Sequence, residues 1–317
     1  MPNLKNPSSP AKGYRGRFAP SPTGPLHAGS LVAALGSWLD AKKQRGQWLL
    51  RIEDLDTPRC IPGADQEIMR QLLACGLSWD EEPSWQSERK EGYQEALECL
   101  NERSLVYSCI CSRQSITSTL EADGLITPRN QEIVYPGTCR PKAIQPQQAI
   151  QDPSIKVAYR LALPPNQSIK FEDLALGTQK QNLNTEVGDF VLRRRDGLFT
   201  YQLALVVDDA LQGITHVVRG QDLLSNTARQ IHLQQALEYS VPEYLHLPLV
   251  LDEHGEKLSK QTLAVAVHTE DASQSLTALR QAAIHLGLLD LPDSQHISIA
   301  EWLLAATHAW NRKTIFS

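Results

Sequence analysis

The chain has 317 residues, 41% of them hydrophobic and 21% charged, and a formal net charge of −5. That balance suits a globular protein with a core of ordinary size. It excludes a general nucleic-acid binder, whose charge would be strongly positive. No apolar run reaches the roughly 18 residues that a membrane-crossing helix needs, so no membrane partner is expected.

By length, two domains or one large domain with insertions are expected. Residues 1–13, MPNLKNPSSPAKG, are polar and lack the apolar stretch of a signal peptide. They read as a loose tail, and the protein as cytoplasmic. Tyr14 to Ala19 reads as a short buried strand, after which Pro20, Pro22, Gly24 and Pro25 impose a loop. Leu31, Leu35 and Trp38 recur at helical spacing, which predicts a helix from about Leu26 to Lys43. Gln47–Ile52 reads as a second strand before the acidic turn EDLDTPR. This strand–loop–helix–strand unit opens a parallel, nucleotide-binding α/β sheet.

Two more helices are expected near Asp65–Cys75 and Lys90–Arg103. From Cys109 to about Lys142 the chain is rich in Thr, Gly and Pro and reads as an irregular insertion, followed by a Gln/Pro linker at Ile144–Gln151. Lys156–Leu161 and Phe190–Arg194 read as strands, with Asp196-Gly197 as a hairpin turn. Val217-Val218-Arg219 ends another strand, Asp222 caps a helix reaching Tyr239, and Leu247–Leu251 is a strand opening into the loop DEHGEKLSKQ. Leu276, Leu279, Ala283 and Leu286 repeat at helical spacing and, with Trp302 and Trp310, form a helical cap. The organisation expected is a tail (1–13), two halves of a nucleotide-binding domain (14–108 and 186–250), an insertion (109–185) and a C-terminal helical region carrying the KLSKQ loop (251–317).

Two stretches carry phosphate chemistry. In RFAPSPTGPLHAGS, residues 17–30, His27, Gly29 and Ser30 fall where the loop enters the helix. A helix start offers free N–H groups and the positive end of its dipole, which suits a phosphate. Gly29 leaves room for an adenine ring, and His27 can donate to a phosphate oxygen as charge builds. Further on, Lys257 and Lys260 flank Ser259 in a polar loop able to close over a triphosphate. Taken singly, these are an ordinary helix-start histidine and an ordinary charged loop. Arg15 and Arg17 and the triplet Arg193-Arg194-Arg195 are the local basic features; contact with a polyanion and a solvated strand edge both remain open for the triplet.

Six cysteines occur without a secretory signal, so a disulfide framework is not expected. Cys75 and Cys99 sit at helical spacing among apolar residues and read as core thiols. Cys109, Cys111 and Cys139, with Tyr135, bracket one irregular segment. A tetrahedral structural zinc site and three reduced thiols in a satellite core both remain open on spacing alone.

Together and in this order, the two phosphate stretches resemble the HIGH and KMSKS signatures of class I aminoacyl-tRNA synthetases. RFAPSPTGPLHAGS, RIEDLDTPR, GLSWDEEP, WQSER, RRRDGLFTYQLALVVDDALQGITHVVRGQDLL and YLHLPLVLDEHGEKLSKQ follow the style and order of the glutamyl subgroup over about residues 14–262. The motif ends in Ser30 instead of His. The CxC…YxxxC pattern resembles a branch of that subgroup, the glutamyl-queuosine tRNA(Asp) synthetases. These lack the large anticodon-binding domain, and this sequence ends shortly after Gln261.

The resemblance implies an α/β fold: a class I synthetase, Rossmann-like parallel sheet with a zinc-binding, acceptor-binding-like insertion and a short helical C-terminal region. It implies activation of L-glutamate by ATP with Mg²⁺, without tRNA, then transfer to queuosine in the anticodon loop of tRNA(Asp). It assigns glutamate binding to Arg17, Phe18, Ala19, Pro20, Ser21, Glu53, Tyr201 and Arg219, and ATP binding to His27, Gly29, Ser30, Lys257, Ser259 and Lys260. His27 and Lys260 are the implied catalytic residues. One structural zinc per chain on Cys109, Cys111, Tyr135 and Cys139, and a monomer, complete the expectation. The alternatives are a shortened glutamyl-tRNA synthetase charging the 3′ end of tRNA(Glu), a catalytically dead RNA-binding paralogue, and a small-molecule nucleotidyltransferase, which would not need the glutamate clamps.

Overall fold

The structure, a computed structural model, describes residues 13–122, 124, 133–140, 156–250, 266–294 and 296–316. β1 (Arg15–Phe18) runs parallel to β2 (Gln47–Ile52), with Arg17 opposite Leu49, and β2 runs parallel to the short β3 (Ser84–Trp85). α1 (Ala28–Lys43) connects β1 to β2 and packs on the sheet. Its residues Leu31, Leu35 and Leu39 are buried, as are Trp48, Leu49, Leu50 and Ile52 of β2, the apolar majority expected of a strand in a sheet covered on both faces. α2 (Ala64–Ala74) and α3 (Lys90–Glu102) follow.

A second parallel set continues the sheet. β9 (His216–Gly220) pairs with β10 (Glu243–Leu247), with Arg219 opposite His246, and β10 pairs at Tyr244 with β6 (Ser168–Asp173). β6 folds back on β7 (Gly177–Asn182) as an antiparallel hairpin. The two sets adjoin where the Thr215 N–H donates to the Arg15 carbonyl at 2.9 Å. A separate antiparallel sheet holds β4 (Val106–Cys109), β5 (Ala158–Leu161) and β8 (Val191–Arg193). After α4 (Arg113–Ala122) and the one-turn α5 (Leu183–Glu186), α6 (Tyr201–Leu211) and α7 (Leu224–Ala236) complete the second half. α8 (Ala272–His285) and α9 (Ile299–Ala309) then cover α1.

This is the expected parallel α/β sheet, with an inserted antiparallel unit. Four local expectations need correction. The insertion is not wholly irregular: α4 forms there because Ile116 and Leu120, one turn apart, bury against Tyr107 and Cys109, and that packing outweighs a Thr- and Ser-rich sequence. β10 ends at Leu247 instead of starting there, since Pro248 has no N–H for the ladder. Asp222 lies in a short 3-10 turn, Gln221–Leu223, and α7 starts at Leu224 without a side-chain cap. Cys75 is buried as expected, whereas Cys99 is half-buried. The Gln/Pro linker lies outside the described residues.

One buried carboxylate ties distant parts of the chain together. Asp40 of α1 accepts hydrogen bonds from the Tyr14 hydroxyl at 2.6 Å, the Trp310 indole at 2.9 Å and the Arg312 guanidinium at 2.7 and 2.9 Å. Burial and the adjacent Asp40 charge push the Tyr14 hydroxyl well above its ordinary pKa. The arrangement satisfies the carboxylate fully, as a charge removed from water requires.

Candidate active site

The parallel strands end on one cleft of about 370 Å³, the usual position for a ligand in such a sheet. Arg17, Phe18, Ala19 and Ser21 reach it from the end of β1, Glu53 from the end of β2, and Arg219 from β9; His27, Gly29 and Ser30 reach it from the start of α1, and Tyr201 from the start of α6. Pro20 serves by its backbone, its carbonyl accepting from the Glu53 N–H at 2.9 Å. Lys257, Ser259 and Lys260 lie outside the described residues.

At the α1 end, His27 is the N-cap. Its Nδ1 accepts from the Ser30 N–H at 3.3 Å, and its own N–H donates to the Ser30 hydroxyl at 3.1 Å. The reciprocal bonds fix the imidazole at the positive end of the helix dipole and place the ring proton on Nε2. Ser30 in place of a second histidine thus supplies a capping partner. Gly29 follows within the first turn and lines the cleft.

At the other end, three charged groups face the cleft, each held from behind. Arg17, 3% exposed, is paired with Asp209 of α6. Arg51 of β2, with no exposure, meets Asp209 at 2.8 Å, Glu53 at 3.4 Å and the Gln212 amide oxygen at 2.6 Å. Burial alone would raise the Asp209 carboxyl, but the guanidiniums of Arg17 and Arg51 outweigh it and hold it below the ordinary carboxylate range. At Glu53 the balance reverses. Burial outweighs the same two guanidiniums, and its carboxyl is pushed up to about 7. The neighbouring Asp208 is saturated by Gln86, Tyr93 and Arg89 at 2.8, 2.8 and 3.1 Å.

Arg219, 5% exposed, has a different setting. Its Nε donates to His246 Nε2 at 3.1 Å, Nη1 to Gln230 at 2.8 Å and Nη2 to Thr227 at 2.9 Å, and its guanidinium lies over the Tyr244 ring. His246 Nδ1 sits 2.6 Å from Asp173. That contact fixes the proton on Nδ1 and leaves Nε2 as the acceptor for Arg219. Burial lowers the His246 pKa, so the ring is neutral. All three partners of the guanidinium are neutral, and its positive charge remains available to an anion in the cleft. Arg17, Arg219 and Glu53 offer two cations and a carboxylate that suit a ligand with two carboxylates and one ammonium; a second carboxylate, Asp222, also lines the cleft.

Motif reasoning missed the groups behind the cleft: Arg51, Asp209, Gln230, His246 and Asp173. One signal existed for Asp208-Asp209. Two carboxylates stand inside the apolar helix YQLALVVDDAL, where charges must be paired.

Elsewhere, the Sγ atoms of Cys109, Cys111 and Cys139 lie within 4.8 Å of one another. The Tyr135 hydroxyl lies 3.5 Å from Cys109 Sγ and 3.6 Å from Cys111 Sγ and accepts from the Cys139 N–H at 2.8 Å. Three thiols and a phenol oxygen therefore converge on one point, a donor set that fits zinc. Gly188, at φ 70°, lets the chain pass alongside Tyr135; a Cβ there would meet the Tyr135 nitrogen at 2.7 Å.

Arg194 pairs with Asp196, and the Arg195 Nε donates to the Lys156 carbonyl. No described helix is long and apolar enough to cross a membrane.

Comparison with known proteins adds a second line of support. The family model described as tRNA synthetases class I (E and Q), catalytic domain, matches residues 14–293. A protein of Cupriavidus metallidurans named glutamyl-Q tRNA(Asp) synthetase is 52% identical over 299 residues, 94% of this chain and 91% of that protein. One of the same name from Albidiferax ferrireducens is 50% identical over 312 residues, 92% of this chain and 98% of that protein. Among solved structures, the glutamate-tRNA synthetase of Elizabethkingia anophelis superposes with a TM-score of 0.78 at 28% identity, over 96% of this chain and 67% of that one.

Proposed function

Because the chain belongs to the class I tRNA synthetases of the E and Q type, and is an enzyme of the ligase kind, we propose that it activates L-glutamate with ATP and passes it to queuosine in the anticodon loop of tRNA(Asp). The observation that carries the reading is the cleft itself, in which the buried cations Arg17 and Arg219, the carboxylate of Glu53 and the start of α1 line one space. The names of the relatives support the choice of acceptor.

In this reading Arg17 and Arg219 take the carboxylates of glutamate, Glu53 takes its ammonium, and Ser21 and Tyr201 complete the wall. Glutamine would leave one guanidinium without its counter-charge, which is the basis for rejecting it. An oxygen of the glutamate α-carboxylate attacks the α-phosphorus of ATP, the bond to the bridging oxygen breaks and pyrophosphate leaves. His27 Nε2–H and the N-terminus of α1 stabilise the developing charge. A hydroxyl of the acceptor then attacks the acyl carbon, losing its proton as AMP departs. Lys257, Ser259 and Lys260 hold the triphosphate, and magnesium accompanies it. Zinc would be held by Cys109, Cys111, Cys139 and Tyr135 as a structural clip for a segment with a small core of its own.

The test is glutamate-dependent ATP–pyrophosphate exchange without tRNA, followed by transfer of labelled glutamate to tRNA(Asp) with and without queuosine. Exchange without tRNA and transfer only to the queuosine form are expected. Efficient charging of the 3′ end of tRNA(Glu) would overturn the choice of acceptor, and absence of exchange would overturn the activity.

A further inference from the structure

We propose that a second cavity, separated from the glutamate cleft by Tyr201, seats the acceptor nucleotide, with its base inside on Arg160 and its phosphate at the mouth on Arg113. The inference rests on the activation reading above and names where its acceptor binds.

The cavity measures about 560 Å³, within the range of ligand sites. Tyr201 lines both it and the cleft, so a group bound here lies one aromatic ring from the activated carboxyl. The walls are also joined by hydrogen bonds. Gln202, on the cavity side, accepts from Gln230 at 3.1 Å, and Gln230 accepts from Arg219 at 2.8 Å.

Its polar groups are mismatched in a way that calls for a ligand. Arg160 is 7% exposed; its Nη1 donates to the Asp189 carbonyl at 2.7 Å, yet its buried Nε–H has no acceptor. A buried donor without an acceptor is costly and is satisfied by a polar atom brought in from outside. Asp189 is engaged already, by the Tyr107 hydroxyl at 2.7 Å and the Leu163 N–H at 2.8 Å. Arg113 is exposed at the first residue of α4, and among the described residues no carboxylate pairs with it. Ile116, Val187 and Phe190 supply an apolar wall for the face of a base. Another cavity, of about 310 Å³, also touches Tyr201, but its Arg59 and Arg194 are answered by Asp56 and Asp196. Of the two, the larger cavity combines an unmatched cation with an unmatched buried donor among the described residues.

The experiment measures inhibition of transfer from preformed glutamyl-adenylate to a queuosine-bearing stem-loop, using queuosine and queuosine 5′-monophosphate as the competing probes. The monophosphate should inhibit at a concentration about tenfold lower than the nucleoside, the value of one charge-assisted hydrogen bond. Arg113→Gln, at an exposed position, should erase that difference and raise the RNA needed for half-maximal transfer by more than it changes tRNA-free exchange. Arg160→Gln should weaken both probes equally while zinc content is retained. Equal inhibition by the two probes in the parent, or a difference that survives Arg113→Gln, overturns the proposal. If the parent charges tRNA(Glu) instead, the acceptor reading fails, and the cavity is judged by the same variants with adenosine against cytidylyl-adenosine.

Discussion

Arg17 and Asp209 form a two-point ion pair, Nε to Oδ1 at 3.1 Å and Nη2 to Oδ2 at 3.4 Å, with both side chains 3% exposed. One edge of the guanidinium is thereby fixed before any ligand arrives. Asp209 also receives Arg51, so a single carboxylate orients the cation in the cleft and the cation behind Glu53. Clamps set in advance lose little side-chain freedom on binding.

Asp209→Asn should therefore act twice. Removing one charge from a buried set leaves two guanidiniums short of a partner, and unfolding stability should fall by about 3 kcal/mol. The KM for glutamate should rise as Arg17 loses its fixed edge. Urea denaturation and exchange kinetics measure the two effects. Wild-type stability with wild-type KM would show that the pair positions nothing.

Glu53 predicts a pH dependence. Its carboxyl is pushed up to about 7, so the ligand-free protein carries it protonated below that pH. An ammonium needs the carboxylate, so glutamate binding releases a proton and weakens as pH falls, by up to about tenfold per unit below 7. The linkage to folding has the opposite sign. A carboxyl with a raised folded pKa adds stability below its unfolded value and loses it as pH rises through about 7. Calorimetric titrations of glutamate on both sides of pH 7 test the first statement, and an affinity independent of pH would refute it.

The cysteine cluster predicts one zinc per chain in protein purified without chelator. Cys139→Ser should lose it. Gly188→Ala removes no ligand, but a Cβ at that φ meets the Tyr135 nitrogen, so zinc retention should fall as Tyr135 is displaced. Elemental analysis of each protein decides, and untreated parent without zinc would dismiss the site.

Lys260 lies outside the described residues, in the loop that resembles the KMSKS signature. If it holds the triphosphate as charge develops, Lys260→Ala should slow adenylate formation by roughly 100-fold and leave glutamate binding near its parent value. A rate within about threefold of the parent would remove Lys260 from the mechanism.

Legibility differed sharply between the lining of the cleft and what stands behind it. β2 spans the residues that its apolar run foretold, and α1 begins two residues after the expected start, where His27 caps it. Periodicity reads such elements because burial of their faces is local information. Arg17, Glu53 and Arg219 stood in stretches that resemble a known pattern. Arg51, Asp209 and His246 stood in such stretches too, but the pattern gave them no role, and Asp173 stood outside them; what defines all four is pairing across strands and helices far apart in sequence. Nothing in the sequence assigned His246 a role; its contact with Arg219 exists only because β9 lies beside β10. α4 was missed for a related reason: a sequence with weak helical preference folds around a satellite core that only the three-dimensional arrangement of Tyr107, Cys109 and Tyr135 creates.

The contacts of Asp40 bear on how the molecule comes to be made. Its partners include Tyr14, next to the first strand, and Trp310, 270 positions away. A chain synthesised from its amino end cannot complete that junction until nearly all of it has left the ribosome. Until then α1 lacks the cover of α8 and α9, and Asp40 lacks two of its three partners. The nascent first half would thus expose apolar surface for most of translation, and closing so long a loop makes the last folding step a slow one. Holding chaperones would meet this protein early, at the face of α1 that the C-terminal helices later hide.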